Sequence, residues 1–195
     1  MVDIFHFKPK RELDAEQNLK DFIHQCKYDL TVFGKELDWS QWHWKGVIQF
    51  TKIGINSRAA KQKDALDSRF IDFAKAYFRY QQGHNPTEAK YEMRALRALE
   101  VALLQVTNSA KISGISLVVM NEAVEVIRDK YSGGGRYHVG RELEYLAKFI
   151  TENNLVATYI GDWKNPILRE KDKNKTGAKA KAARLKKLLS DEALY

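Results

Sequence analysis

A single cysteine, Cys26, stands among the 195 residues. One thiol excludes an internal disulfide framework and any cysteine-rich zinc site. It reads instead as a small apolar side chain on a helix face, in a reducing compartment. Long apolar runs are also missing. The longest, Ile115-Ser116-Leu117-Val118-Val119-Met120, falls far short of the roughly 20 residues that a membrane-spanning helix needs. The start, Met1-Val2-Asp3-Ile4-Phe5-His6, has no basic stretch leading into an apolar one, so no signal peptide is expected. No membrane partner and a cytoplasmic location follow. The histidines at 6, 24, 43, 84 and 138 are scattered, with no two at metal-ligand spacing on a helix. Neither a metal nor a cofactor is expected. Gly133-Gly134-Gly135 lacks the lysine-serine ending and the preceding strand of a phosphate loop. It is read as a flexible break or a tight helix connection.

What is present in excess is positive charge, and it is unevenly placed. The net charge is +8. Residues 163–195 hold ten lysines and arginines against four acids, so this stretch alone carries +6 while the remainder is nearly balanced. A basic strap beside a balanced body points to a polyanion, most often nucleic acid. The plainer reading is a linker kept soluble by its lysines.

Hydrophobic periodicity is helical over most of the chain. Asp14 is a cap for a helix through Phe33, with Leu19, Phe22, Ile23, Cys26, Leu30 and Phe33 recurring at threes and fours. Trp39, Trp42 and Trp44 do not fall on one stripe, and residues 47–51 between Gly46 and Gly54 read as a short strand or extended loop. Tryptophans this close are expected as core under a small domain rather than as a stacking platform for bases. Four more helices follow. The first, about 63–82, carries Leu66, Phe70, Phe73, Ala74 and Tyr77. The next is opened by Asn85, Pro86 and Glu88 and reaches Thr107, with Leu96, Leu99, Leu103 and Val106 inward. A third starts near Ser116 and ends at 131–132, with Val119, Ala123, Val126 and Ile127 inward. The last, about 137–153, buries Leu143, Leu146, Ala147 and Ile150. Short loops join these four, so one bundle is expected.

His138-Val139-Gly140-Arg141 fits the H-x-x-R pattern of tyrosine recombinase catalytic domains. It opens an ordinary amphipathic helix with no second arginine box upstream, and is read as coincidence. Three other segments carry a broader likeness: 18–39, 70–103 and 163–172, above all Asp72-Phe73-Ala74-Lys75-Ala76-Tyr77 with Arg79-Tyr80 and the helix through Ala95-Leu96-Arg97-Ala98-Leu99-Glu100. Together they resemble the N-terminal half of phage-type site-specific integrases, which are tyrosine recombinases.

That resemblance implies a mainly α fold. A helical N-terminal part with the tryptophan segment would occupy 1–60, a compact four-helix core-binding (SAM-like) bundle 61–168, and a basic linker 169–195. It implies a module that clamps duplex DNA at a recombination site, beside other recombinase protomers, in a bacterial nucleoid-associated setting. The catalytic domain that cuts and joins strands would lie beyond Tyr195, and this segment would hold no catalytic residue. Candidate phosphate contacts are Lys75, Arg79, Lys90, Arg94, Arg97, Arg136, Arg141 and Lys164 in the body. In the strap they are Lys179, Lys181, Arg184, Lys186 and Lys187. For each, the plain alternative is a solvated surface charge. The competing reading of the whole is a helical interaction protein whose basic tail binds an acidic protein. A small self-contained enzyme is the least supported, for want of clustered acids and bases.

Overall fold

In the computed structural model, which describes residues 9, 14–29, 37–84 and 90–169, Asp14 opens the first helix, α1 (Ala15–Asp29). Its Oδ1 accepts the Gln17 backbone N–H at 2.8 Å, satisfying one of the donors that a helix start leaves unpaired. The expected extension to Phe33 falls outside the described residues. A two-residue hairpin follows, β1 (His43–Trp44) against β2 (Ile48–Gln49), antiparallel, with His43 opposite Gln49 and Trp44 opposite Ile48. Gly46, at φ +72°, makes its turn in a region that side chains rarely adopt.

The second helix, α2 (Ile71–His84), starts later than its periodicity predicts. Leu66 is buried as expected, but the stretch before the helix is held by the hairpin instead. Thr51 bridges Ala65, and the Leu66 N–H donates to the Phe50 carbonyl at 2.9 Å. The Asp67 N–H donates to the buried Glu100 carboxylate at 2.6 Å. Those bonds require extended backbone, so the helix begins only after Phe70.

Then come α3 (Lys90–Thr107), α4 (Leu117–Lys130) and α5 (Gly134–Glu152). The proposed cap at Asn85 and Pro86 lies outside the described residues. Ser116 caps α4, its hydroxyl accepting from the Val119 N–H. The inward faces are as the spacing predicts, except that Val106 is 38% exposed. Rather than breaking the chain, Gly134 and Gly135 form the first residues of α5, and Gly133, at φ +53°, makes a tight connection from α4.

The mainly α expectation holds: among the described residues the only sheet is the two-stranded hairpin. α3 lies centrally, packed on both α4 and α5, while α1 packs on α2. One continuous apolar core runs through the whole, and there is no break in it at residue 60. Phe22 of α1 packs against Tyr80 of α2 and Phe149 of α5, at 5.9 and 5.2 Å between ring centroids. Trp44 and Phe50 of the hairpin segment meet Phe78 at 6.2 and 5.8 Å. Cys26 is fully buried on α1. No described helix is long and apolar enough to cross a membrane.

Candidate nucleic-acid interface

Three of the eight body cations point inward. Lys75 is 3% exposed, and its ammonium donates to the Trp39 carbonyl. Arg79 is 5% exposed and donates to the Lys27 carbonyl at 3.1 Å, near the end of α1. Arg97 reaches across to the hairpin region, donating to the Thr51 carbonyl at 2.7 Å and to the Gln49 carbonyl and Thr51 hydroxyl at 3.0 Å. All three tie one backbone segment to another, and burial lowers the pKa of each. The donors of these three serve internal carbonyls, so they do not stand among the exposed cations of the body.

The other five share one side of the molecule, built from the start of α3, the end of α4 and the first half of α5. Lys90 lies over the Tyr91 ring at 4.9 Å. Arg94 sits between two rings, 5.6 Å from Tyr91 and 5.3 Å from Tyr131. Tyr91 also stacks on His138 at 5.0 Å, which links α3 to α5. Arg136 turns back to donate to the Tyr131 carbonyl. One turn further along α5, Arg141 lies over Tyr137 at 5.9 Å and Tyr145 at 5.4 Å. It also donates to the Tyr145 hydroxyl, a bond that raises its pKa. Cations held against ring faces gain a favourable contact with the ring's negative face. His138 and Arg141, the H-x-x-R pair, are thus both exposed parts of this aromatic and cationic ladder.

Beyond α5 the chain folds back onto this same face. Trp163 is buried, and its indole N–H donates to Asn121 of α4 at 3.0 Å. The Asn165 N–H donates to Glu144 at 3.1 Å, and Lys164 lies 3.4 Å from the same carboxylate. Asn165 also accepts the Ile167 N–H at 3.0 Å, a local turn that seats its side chain directly on Gly140. A Cβ at position 140 would come within 2.3 Å of the Asn165 side chain, so only glycine allows this approach. The result is a groove of about 420 Å³ lined by Tyr137, Arg141, Glu144, Tyr145, Asn165, Ile167, Leu168 and Arg169, with the Glu144 carboxylate taken up by Lys164 and the Asn165 N–H. The described chain ends at its edge. Lys179, Lys181, Arg184, Lys186 and Lys187 lie outside the described residues.

Beneath the face, Glu92 is buried on α3. One carboxylate oxygen accepts from Gln82 at 3.0 Å, and among the described residues the other has no hydrogen-bond partner. Burial pushes its pKa up to about 8.

Sequence reasoning singled out none of Tyr91, Tyr131, Tyr137, Tyr145 or Arg169. For the α5 part the signal was there: Tyr137, Arg141 and Tyr145 recur at four, the spacing that stacks side chains on one helix face. Comparisons with protein-family models, curated proteins and solved structures returned no match.

Proposed function

We propose that this chain binds duplex DNA through the α3–α5 face and the lysine-rich strap that continues from it, as the DNA-clamping part of a site-specific integrase. The observation that carries the reading is positional. Arg169, the last described residue and the first of the basic linker, lines the same groove as Arg141. The strap's charge therefore begins where the folded body's exposed cations lie, and one anionic backbone would meet both. Phosphates supply most of the affinity of such contacts, and guanidinium groups fixed against tyrosine rings suit them. Strand cutting and joining are assigned to no residue here. The integrase part of the proposal rests on the likeness of residues 18–39, 70–103 and 163–172 alone.

The test is duplex binding by the Arg141→Gln/Arg169→Gln variant against the unaltered chain. Each phosphate contact removed lowers the log–log salt slope by about 0.9, so a reduction of up to about 2 is expected. Thermal stability should stay within about 0.5 kcal/mol, as for ordinary surface changes. An unchanged slope would refute the face as the contact. Tight binding to an acidic protein with no DNA affinity would replace the reading with that of an interaction module.

A further inference from the structure

We propose that a second groove, between the tryptophan hairpin and α2, is a nucleotide site: a planar base lies against Trp39 and Trp42, and its phosphate meets Lys52 and Lys63. The groove is distinct from the α5 face and does not depend on it. Its volume, about 510 Å³, is within the ordinary range of small-ligand pockets.

The tryptophans divide between two roles. Trp44 is core, 2% exposed, with its N–H bound to the Asp38 carbonyl at 2.9 Å. Trp39 and Trp42 are only half-buried, and both line the groove. Trp39 is held in one orientation, its indole N–H donating to Asp72 at 2.9 Å. Trp42 rests against His43 at 5.5 Å. Two large rings left at a groove wall form a surface for another planar group.

The charges lining the groove are unequally matched. Of its two carboxylates, Asp67 is gripped by the Arg69 guanidinium at 3.0 and 3.1 Å, and Asp72 takes the Trp39 N–H. The two exposed lysines have no such partner. Among the described residues, no carboxylate lies within ion-pair distance of Lys52 or Lys63. Lys75, at the inner end of the groove, is already served: its buried ammonium donates to the Trp39 carbonyl and lies over the Trp39 ring at 5.8 Å. An anion in the groove would match the charges of Lys52 and Lys63. A neutral sugar would use the rings and leave the lysines unmatched. Inorganic phosphate would use the lysines and ignore the rings. A ligand with both an aromatic ring and a phosphate uses both, and a nucleotide is that chemistry, whether free or as an unpaired residue of a strand.

Tryptophan emission of the full chain, titrated with dAMP, deoxyadenosine, inorganic phosphate and a short single-stranded oligonucleotide, tests this. Saturable quenching by dAMP is expected. Deoxyadenosine forgoes the charge-assisted hydrogen bonds and phosphate forgoes the ring stacking, so each should bind about tenfold or more weakly. Trp42→Ala should weaken dAMP binding by about 5- to 150-fold, as for other base-stacking rings. Lys52→Gln/Lys63→Gln, on exposed side chains that do not threaten the fold, should bring dAMP down toward the nucleoside. An oligonucleotide that binds more tightly than dAMP would identify a strand as the source; one that binds no better would identify the free nucleotide. Three results would overturn the proposal: no saturable change with either nucleotide form at about 5 mM, where even a millimolar site fills; a nucleoside as tight as the nucleotide; or phosphate alone as tight as dAMP.

Discussion

Replacing Gly140 with alanine tests the seat on which the C-terminal segment rests, and the structure sets both sign and size. Two effects oppose each other. Alanine in a helix interior is favoured over glycine by about 1 kcal/mol. Its Cβ, however, would stand 2.3 Å from Asn165 Oδ1 and 2.6 Å from Asn165 Cγ, too close to coexist. The asparagine must leave, which breaks its bond from the Ile167 N–H and disturbs the Asn165 N–H bond to Glu144. Two such bonds are together worth about 1–3 kcal/mol. Gly140→Ala should therefore destabilise by about 0–2 kcal/mol despite its better helix propensity. Asn165→Ala removes the same side-chain interactions and should destabilise by a similar amount. The double variant has no clash left to relieve and keeps the helix gain. Its stability should exceed the sum of the two single effects by about 1–3 kcal/mol. Urea unfolding of the four proteins measures this directly. Additivity within about 0.5 kcal/mol would mean that Asn165 does not sit on Gly140, and the groove beside it would lose its wall.

Leu99→Ala should cost about 2–5 kcal/mol in denaturant unfolding, since Leu99 is fully buried in the central helix; a cost below about 1 kcal/mol would misplace that helix face. Glu92 gives a pH signature. Its folded-state pKa, near 8, lies above its unfolded value of about 4.3, so the folded state holds the proton more tightly. Stability should fall as pH rises through that window and level off above it. Glu92→Gln cannot titrate, so the variant should gain on the unaltered chain between about pH 5 and pH 8.5, and a difference that does not change with pH would contradict the buried carboxyl.

Much of the architecture could be read in advance because periodicity and caps are local signals. Ser116 at the start of α4 and Asp14 at the start of α1 do what their types do at helix ends. The start of α2 could not be read that way. Leu66 and Phe70 are spaced as on a helix, but residues 65–67 bond to Phe50, Thr51 and Glu100, partners far away in sequence. The first strand of the hairpin is two residues long, too short to leave a pattern. The site was legible only in part for a related reason. A cation on a helix looks the same in sequence whether it meets a phosphate or an internal carbonyl. Arg97 and Arg94 are neighbours on one stripe, yet Arg97 ties down Thr51 and Gln49, while Arg94 stands between Tyr91 and Tyr131. Likewise Trp44 went to the core and Trp42 to a groove wall, a division set by the hairpin's register rather than by composition.

The central claim is that duplex DNA is bound electrostatically by the body and strap together. The most direct measurement is the salt dependence of duplex affinity for the full chain and for a variant with Lys179, Lys181, Arg184, Lys186 and Lys187 all changed to Gln. Body and strap acting together should give measurable binding at low salt, a linear log–log dependence, and a slope shallower in the variant by up to about 4–5. The thermal midpoint should change little. No duplex binding at low salt, or a slope identical in the two proteins, would contradict the claim.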